Sequence, residues 1–459
     1  MSWKQWRTDF PALVREPELA YLDSACLTPV PHPVLRAMQQ YYEEFPACAG
    51  RSVHRWSEEV TSRVQRARET WARYFGAVGT NQLVCVRNAT EAINIVARGL
   101  AFRRGDRVLI SDQEHNSNLV VWQDLVRRRG LRLEVLPLPP DRPFDGEALE
   151  EALRRGIRLV SFFHASNVDG RRLPVREIVE RSHDAGAQVL LDGCQAAPHE
   201  RVDLARLGVD YYALSFHKML GPTGTGLLYG APGRLEGLRP LVLGGETVAW
   251  SEYDRHELLP PPQRFEAGLQ NYAGILGAGA AVDYLARVDL AEVRAQERSY
   301  QETLYRELQG IPGFSLIGLR RSQDRGGIFS FNLEGVDPHD AALFLDQGYR
   351  VLVRSGMNCV HSWYRARGLE GNVRASFYLY TSPADVTRLI EGLRELRERM
   401  PWTPSHWSPK GVLPGIDRST GHRALVPPPR RGKLRGPRGS LRCGGGGPRG
   451  SKVSPVHRH

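Results

Sequence analysis

The chain has 459 residues, 41% hydrophobic and 25% charged, the proportions of an ordinary soluble protein long enough for a large core and two domains. It has no run of about eighteen apolar residues to form a membrane span, and its opening "MSWKQWRTDFPALVREPEL" lacks the apolar centre of a secretory signal, so a cytoplasmic protein is expected. The formal charge of +11 comes wholly from residues 401–459, which hold 12 Lys plus Arg against the single acid Asp417, so the body is neutral and gives no sign of a nucleic-acid-binding face.

Along the chain, a regular alternation begins near Leu83. "QLVCV" predicts a buried strand, and "TEAINIVARGL" has the helical spacing of Ile93, Val96, Ala97 and Leu100. "GDRVLIS" predicts the next strand, and "NLVVWQDLVRRRG" a helix closed by Gly130. There follow the strand "LRLEVLPL", a helix around Gly146 to Arg155, the strand "IRLVSFF", the helix "VREIVERSHDAG", and the strands "AQVLLDG" and "VDYYALS". "GTGLLYG" predicts one further strand of the same sheet. Strands alternating with helices in this way argue for an α/β fold with a mainly parallel sheet.

After about Ala281 the pattern changes to long charged helices, "EVRAQERSYQETLYRELQG" and "ADVTRLIEGLRELRERM", around the shorter strands "GGIFSFNLEG" and "VRASFYLYTS". The expected organisation is a short segment, residues 1–20, packing with the smaller domain; a large domain, 21–280; a smaller α+β domain, 281–400; and a tail, 401–459. That tail ends "VPPPRRGKLRGPRGSLRCGGGGPRGSKVSPVHRH", too poor in large apolar residues to fold alone, so a disordered extension is expected. A basic arm for nucleic acid is the other reading, but the stretch holds no aromatic residue to stack on bases.

Lysine is scarce. It stands only at positions 4, 218, 410, 433 and 452, so the body between Ser52 and Met400 carries one lysine among dozens of arginines. An ammonium can lose its proton in a suitable pocket and attack a carbonyl, whereas a guanidinium stays charged. Lys218, in "LSFHKMLGPTGTGLLYG", is therefore a candidate Schiff-base lysine, toward a carbonyl substrate or pyridoxal phosphate. A surface lysine left by a drift toward arginine would give the same count.

In an open α/β sheet, ligands sit at the carboxyl ends of the strands. The polar residues following the predicted strands are Asn88, Ala89 and Thr90; His115 and Asn116; His164 and Asn167; Asp192 and Gln195; and Ser215, His217 and Lys218. Ala89 and Thr90 open a helix, where a phosphate finds amides and a hydroxyl, although a threonine there is more often a plain N-cap. Asp192 suits a protonated pyridine nitrogen, or simply caps a loop. Gln195 can donate to a phenolic oxygen, and His115 can stack on a ring and move protons. The six cysteines, Cys26, Cys48, Cys85, Cys194, Cys359 and Cys443, form neither a CxxC pair nor a zinc-like spacing, so no metal site and no disulfide framework are expected.

The segments "YLDSAC", "RNATEAIN", "EHNSN", "SNVDG", "LLDGCQAAPH", "SFHKMLGPTGTGLLYG", "RFEAG" and "VRAS" occur in the order seen in class V aminotransferase-type pyridoxal phosphate enzymes. From Tyr21 to Arg399 the chain most resembles the cysteine desulfurases of the sulfur-mobilisation, selenocysteine lyase-like type. The resemblance implies the type I fold of pyridoxal-phosphate-dependent transferases and L-cysteine as substrate, with sulfur passing to an enzyme cysteine. A homodimer and a sulfur-acceptor protein are further implied.

Position by position, the resemblance makes Lys218 the Schiff-base lysine, Asp192 the partner of the pyridine nitrogen, Gln195 the contact to the phenolic oxygen and His115 the stacking residue. It assigns the phosphate to Thr90, Ser215 and His217, sets Ala89 and Asn167 also at the cofactor, and gives the substrate to Asn167, Arg354 and Arg374. Cys359 falls in register with the family's sulfur-accepting cysteine, with Arg354 placed to lower its pKa. Two departures stand out. Met357 and Asn358 replace the two histidines that commonly precede that cysteine, and Leu269 stands where many relatives place a phosphate-binding threonine. Met357 and Asn358 keep a second reading open, a lyase, epimerase or aminotransferase of the same fold without a catalytic thiol. Cys26, Cys194 and His54 are expected near the pocket, the two cysteines as small packing residues.

Overall fold

The computed structural model describes residues 3–322 and 325–400, so the tail read from residues 401–459 lies outside the described residues. At its centre is a seven-stranded sheet. In spatial order the strands are Leu83–Val86, Gly226–Gly230, Tyr211–Ser215, Gln188–Asp192, Ile157–Phe163, Arg107–Ser111 and Arg132–Leu136. The strands from Tyr211–Ser215 to Arg132–Leu136 run parallel. Gly226–Gly230 runs antiparallel to both its neighbours. The reason is local: Ser215 is joined to Gly226 by a short loop with no crossover helix, and such a connection can only reverse the chain.

Alternating residues of each strand feed two separate cores. Leu83, Leu109, Val189 and Leu191 point to one, and Val84, Ile110 and Leu190 to the other. The sheet is thus covered on both faces, which is why "LVCV" and "VLL" read as continuous apolar runs. Helix Ala89–Gly99 covers one face with Ile93, Val96 and Ala97. Helix Arg55–Phe75 covers the other with Val60, Trp71 and Phe75, each stabilising by roughly 1.5–3 kcal/mol on burial.

A second, four-stranded antiparallel sheet orders Phe314–Ile317, Ile328–Leu333, Asn372–Ser376 and Arg354–Gly356. Helices Leu290–Leu308, Pro338–Tyr349 and Pro383–Arg399 supply its core through Leu304, Leu345 and Leu393. The N-terminal segment is tied to this region. Arg7 bonds the Asp385 carboxylate at 3.2 Å, Phe10 packs edge-on to Tyr380, and Ala20–Tyr21 pairs in parallel with Val351–Leu352. Just beyond, the Ser376 amide donates to the Leu22 carbonyl at 2.7 Å. Among the described residues no helix is long and apolar enough to cross a membrane.

Candidate active site

The carboxyl ends of the parallel strands open into a cleft of about 250 Å³. Twelve of the residues singled out by the sequence line it. Ala89, Thr90, His115, Asn167, Asp192, Gln195, Ser215, His217 and Lys218 come from the large sheet's loops, and Arg354, Cys359 and Arg374 from the small sheet and the turn after it.

Asp192 closes strand Gln188–Asp192 and is buried. Its Oδ1 accepts from the Cys194 amide at 3.0 Å, and its Oδ2 has no hydrogen-bond partner among the described residues. The chain leaves the strand sharply because position 193 is glycine. A Cβ there would lie 2.0 Å from the Tyr212 ring, so any other residue would push Asp192 and Cys194 away from the sheet. One turn on, Gln195 donates to the Ala25 carbonyl at 2.7 Å, which locks the amide across the cleft. Burial pushes the Cys194 thiol up to about 12, so it stays protonated and inert.

Lys218 ends the short 3₁₀ turn Phe216–Lys218 that follows strand Tyr211–Ser215. Its ammonium makes no hydrogen bond or ion pair with a described residue. Burial, with Lys218 close by, holds His217 down to about 4. The Ser215 hydroxyl accepts from the Ala89 amide at 2.9 Å, at the first residue of the helix that Asn88 caps through the Glu91 amide. Helix start and lysine turn thus meet directly, with Thr90 exposed on the cleft side.

His115 is fixed through Ser117, whose amide donates to His115 Nδ1 at 3.1 Å. A nitrogen accepting that bond carries no proton, so the neutral ring is protonated at Nε2. The Ser117 hydroxyl sits 2.9 Å from the same Nδ1 and 2.7 Å from the Thr90 hydroxyl, linking the ring to the helix start. Burial, then the Lys218 charge, hold His115 down to about 4. Next to it, Glu114 is fully enclosed, accepting from Ser111, Asn118 and the Phe163 amide, and burial raises it to about 8.

The small-sheet side holds the cations and the exposed thiol. Arg374 is buried; its Nη1 donates to the Asn167 carbonyl at 2.8 Å and its Nη2 to Asp23 Oδ1 at 3.2 Å, while Nε has no partner among the described residues. Cys359 is exposed and sits in a left-handed turn, with φ +47° at Asn358 and +59° at Cys359. Such a backbone is costly for a non-glycine residue, least so for Asn. Hydrogen bonds with four residues hold it. The Asn116 amide donates to the Cys359 carbonyl at 2.8 Å, and the Asn167 amide group to the Asn358 carbonyl at 2.7 Å. The Asn358 side chain itself is bonded to Asn372 and Tyr364. Asn358 thus acts as a structural peg in this turn. Arg354 reaches Cys26 Sγ, at 3.7 Å, rather than Cys359.

Some residues are placed elsewhere. The His164 side chain turns away from the cleft to Tyr212 and Glu200, and His54 caps helix Arg55–Phe75. Leu269 is exposed, and the Gln270 amide folds back onto the carbonyls of Glu266 and Gly268. The sequence reading gave no role to Asp23, Ser117 or Glu114. Asp23 and Ser117 stand inside quoted motifs, "YLDSAC" and "EHNSN", but only the fold shows what they touch.

This arrangement sits in a chain whose residues 20–389 match the Aminotransferase class-V family profile. The chain belongs to that family. Among curated class-V relatives, one from Streptomyces coelicolor named "Probable cysteine desulfurase" is 36% identical over 402 residues, covering 85% of this chain and 96% of the relative. A "Cysteine desulfurase" from Cronobacter sakazakii is 36% identical over 399 residues, covering 85% and 97%. The apo structure of a cysteine desulfurase from Thermococcus onnurineus NA1 is similar with a TM-score of 0.82 at 33% identity, covering 86% of this chain and 98% of that one.

Proposed function

We propose that this class-V enzyme is a pyridoxal-phosphate-dependent cysteine desulfurase, converting L-cysteine to L-alanine and taking the sulfur as a persulfide on Cys359. One observation carries the reading: an exposed thiol shares a cleft with an uncommitted lysine ammonium and a buried, half-free carboxylate.

The residues present fit the cofactor. Among the described residues Lys218 has no competing ion pair and Asp192 Oδ2 has no hydrogen-bond partner, which leaves it for a protonated pyridine nitrogen, and hydroxyls cluster at a helix N-terminus where a phosphate is favoured. Lys218 would hold the aldehyde carbon, Asp192 the pyridine nitrogen, Gln195 the phenolic oxygen and His115 a ring face. Ala89, Thr90, Ser215 and His217 would hold the phosphate. When bound, pyridoxal phosphate supplies an electron sink for negative charge at the substrate α-carbon.

The chain's own groups do the rest. Arg374 spends two of its five N–H groups on Asn167 and Asp23, and those that remain receive the substrate α-carboxylate. Asn167 orients the substrate from one side while bracing the Cys359 turn from the other. Lys218 and neutral His115 are the groups placed to move a proton at the α-carbon. Cys359 then takes the sulfur as the carbon–sulfur bond breaks, and the carbon fragment leaves as alanine.

The test is Cys359→Ser. It should bind cysteine with a visible spectral change yet release almost no alanine, and the wild type should carry one added sulfur atom at Cys359 that the variant lacks. Turnover of cysteine by Cys359→Ser at the wild-type rate would end the desulfurase reading. Three coarser proposals accompany it. A reducing, cytoplasmic setting is supported by the unpaired described cysteines. A homodimer is supported by exposed Leu241, Val242, Leu243 and Leu269. A protein sulfur acceptor is supported by the exposure of Cys359 itself.

A further inference from the structure

We propose that Cys26 is a second sulfur carrier in the cleft, taking the transferred sulfur from Cys359 so that Cys359 is free for another turnover. The inference rests on the desulfurase reading. Cys26 follows the strand Ala20–Tyr21, far from Cys359 in sequence, yet both thiols line the same small cleft with Lys218 and Arg374. Cys26 is half-buried, so a persulfide there is shielded from solvent while remaining open to the cleft.

A second, independent contact marks Cys26 as more than packing. Arg354 is exposed and has a wide choice of orientations, but its Nη1 lies 3.7 Å from Cys26 Sγ. A guanidinium set against a sulfur is the arrangement that suits a thiolate nucleophile and a charged persulfide alike. The remaining cleft thiol, Cys194, has no such neighbour and is held protonated by burial.

The step balances without an oxidant. The Cys26 thiolate attacks the outer sulfur of the Cys359 persulfide. A bond forms between Cys26 Sγ and that sulfur as the bond to Cys359 Sγ breaks, and the electron pair leaves with Cys359 as its thiolate. The transferred sulfur keeps its oxidation state, and Cys359 returns to the form that accepts sulfur from a second cysteine molecule.

The holoenzyme tests this directly. Wild type, Cys26→Ser, Cys26→Ala and Cys359→Ser are mixed with L-cysteine without reductant or acceptor. The alanine burst is counted, and alkylated peptides covering all six cysteines are mapped for an added sulfur atom. The wild type should give a burst of about two alanines per protomer, against about one for both Cys26 variants. Added sulfur should appear on Cys26 and Cys359 in the wild type, on Cys359 alone in the Cys26 variants, and on neither in Cys359→Ser. A wild-type burst of one with sulfur confined to Cys359 would overturn the proposal and leave the desulfurase reading intact. Sulfur on Cys26 in Cys359→Ser would also overturn it, because Cys26 would then draw on the substrate directly. No alanine and no added sulfur anywhere would defeat both readings.

Discussion

Replacing Arg374 with leucine separates anchoring from folding at the cleft. The side chain is only 4% exposed, and it bonds the Asn167 carbonyl at 2.8 Å and Asp23 at 3.2 Å. Leucine removes both bonds and leaves the Asp23 carboxylate partly buried without its ion-pair partner. Breaking a buried pair from one side costs about 3–5 kcal/mol. Asp23 retains some exposure, 19%, so the lower end applies and a loss near 3 kcal/mol in unfolding free energy is expected. On the proposed assignment, the substrate carboxylate also loses its charged fork. At about 1.4 kcal/mol per factor of ten, a contact worth roughly 3 kcal/mol lowers kcat/KM for cysteine about a hundredfold.

The sign of the pH effect follows from Asp23. Burial already raises its pKa, and Arg374 is the main opposing influence. In Arg374→Leu the carboxyl rises further, above its unfolded value, so folding gains at low pH and loses as pH rises through the folded pKa. The stability deficit should therefore shrink in acid. Urea titrations of wild type, Arg374→Leu, Asp23→Asn and the double variant measure the pair, with a coupling energy above about 1 kcal/mol expected. If Arg374→Leu stayed within about 0.5 kcal/mol of wild type and within threefold in kcat/KM, the assigned role of the guanidinium would be wrong.

Lys218→Ala should lose the visible absorbance of covalently held pyridoxal, and borohydride should no longer fix the cofactor to the chain; persistence of either would remove Lys218 from the chemistry. Gly193→Ala, whose Cβ meets the Tyr212 ring, should cost roughly 1–3 kcal/mol and weaken cofactor retention, whereas an unchanged melting curve would contradict the close approach. Acid should destabilise the fold through His164, His115 and His217, held down to about 3, 4 and 4 by burial. Each stays neutral in the folded state while the unfolded chain takes up protons below about pH 6.5, so their stability is complete above that pH and falls below it. His164 alone should account for about 2 kcal/mol between about pH 6.5 and 5, checked by comparing His164→Gln with wild type in urea. Glu114, raised to about 8, works the opposite way and trims stability as pH rises from about 4.5 to 8.

The parallel strands and their helices were legible because a sheet covered on both faces writes continuous apolar runs, and the helices beside it carry a clean stripe. Helix Tyr272–Leu285 was not, for the opposite reason: nearly every residue is buried, so "YAGILGAGAAVDYL" has no polar face to set a period. Lys218, Asp192 and Cys359 could be singled out because the chemistry they suit demands a residue type, and the fold brings all three to one cleft. Asp23 and Ser117 escaped because their importance lies in partners distant in the chain, Arg374 for one and Thr90 for the other. His164 misled in the same way. It follows a strand as the cleft residues do, but successive residues there point to opposite sides, so Phe163 and Ala165 face the cleft and His164 does not.

The turn that carries Cys359 is tethered at both of its carbonyls and at the Asn358 side chain. A thiol mounted this way is a fixed post, not a swinging arm. Rotation about χ1 moves its sulfur by only about 3 Å. On the proposed desulfurase reading, an acceptor, Cys26 included, has to lie or come within reach of that small arc. On that reading, a partner that docks without reaching the arc leaves without the sulfur.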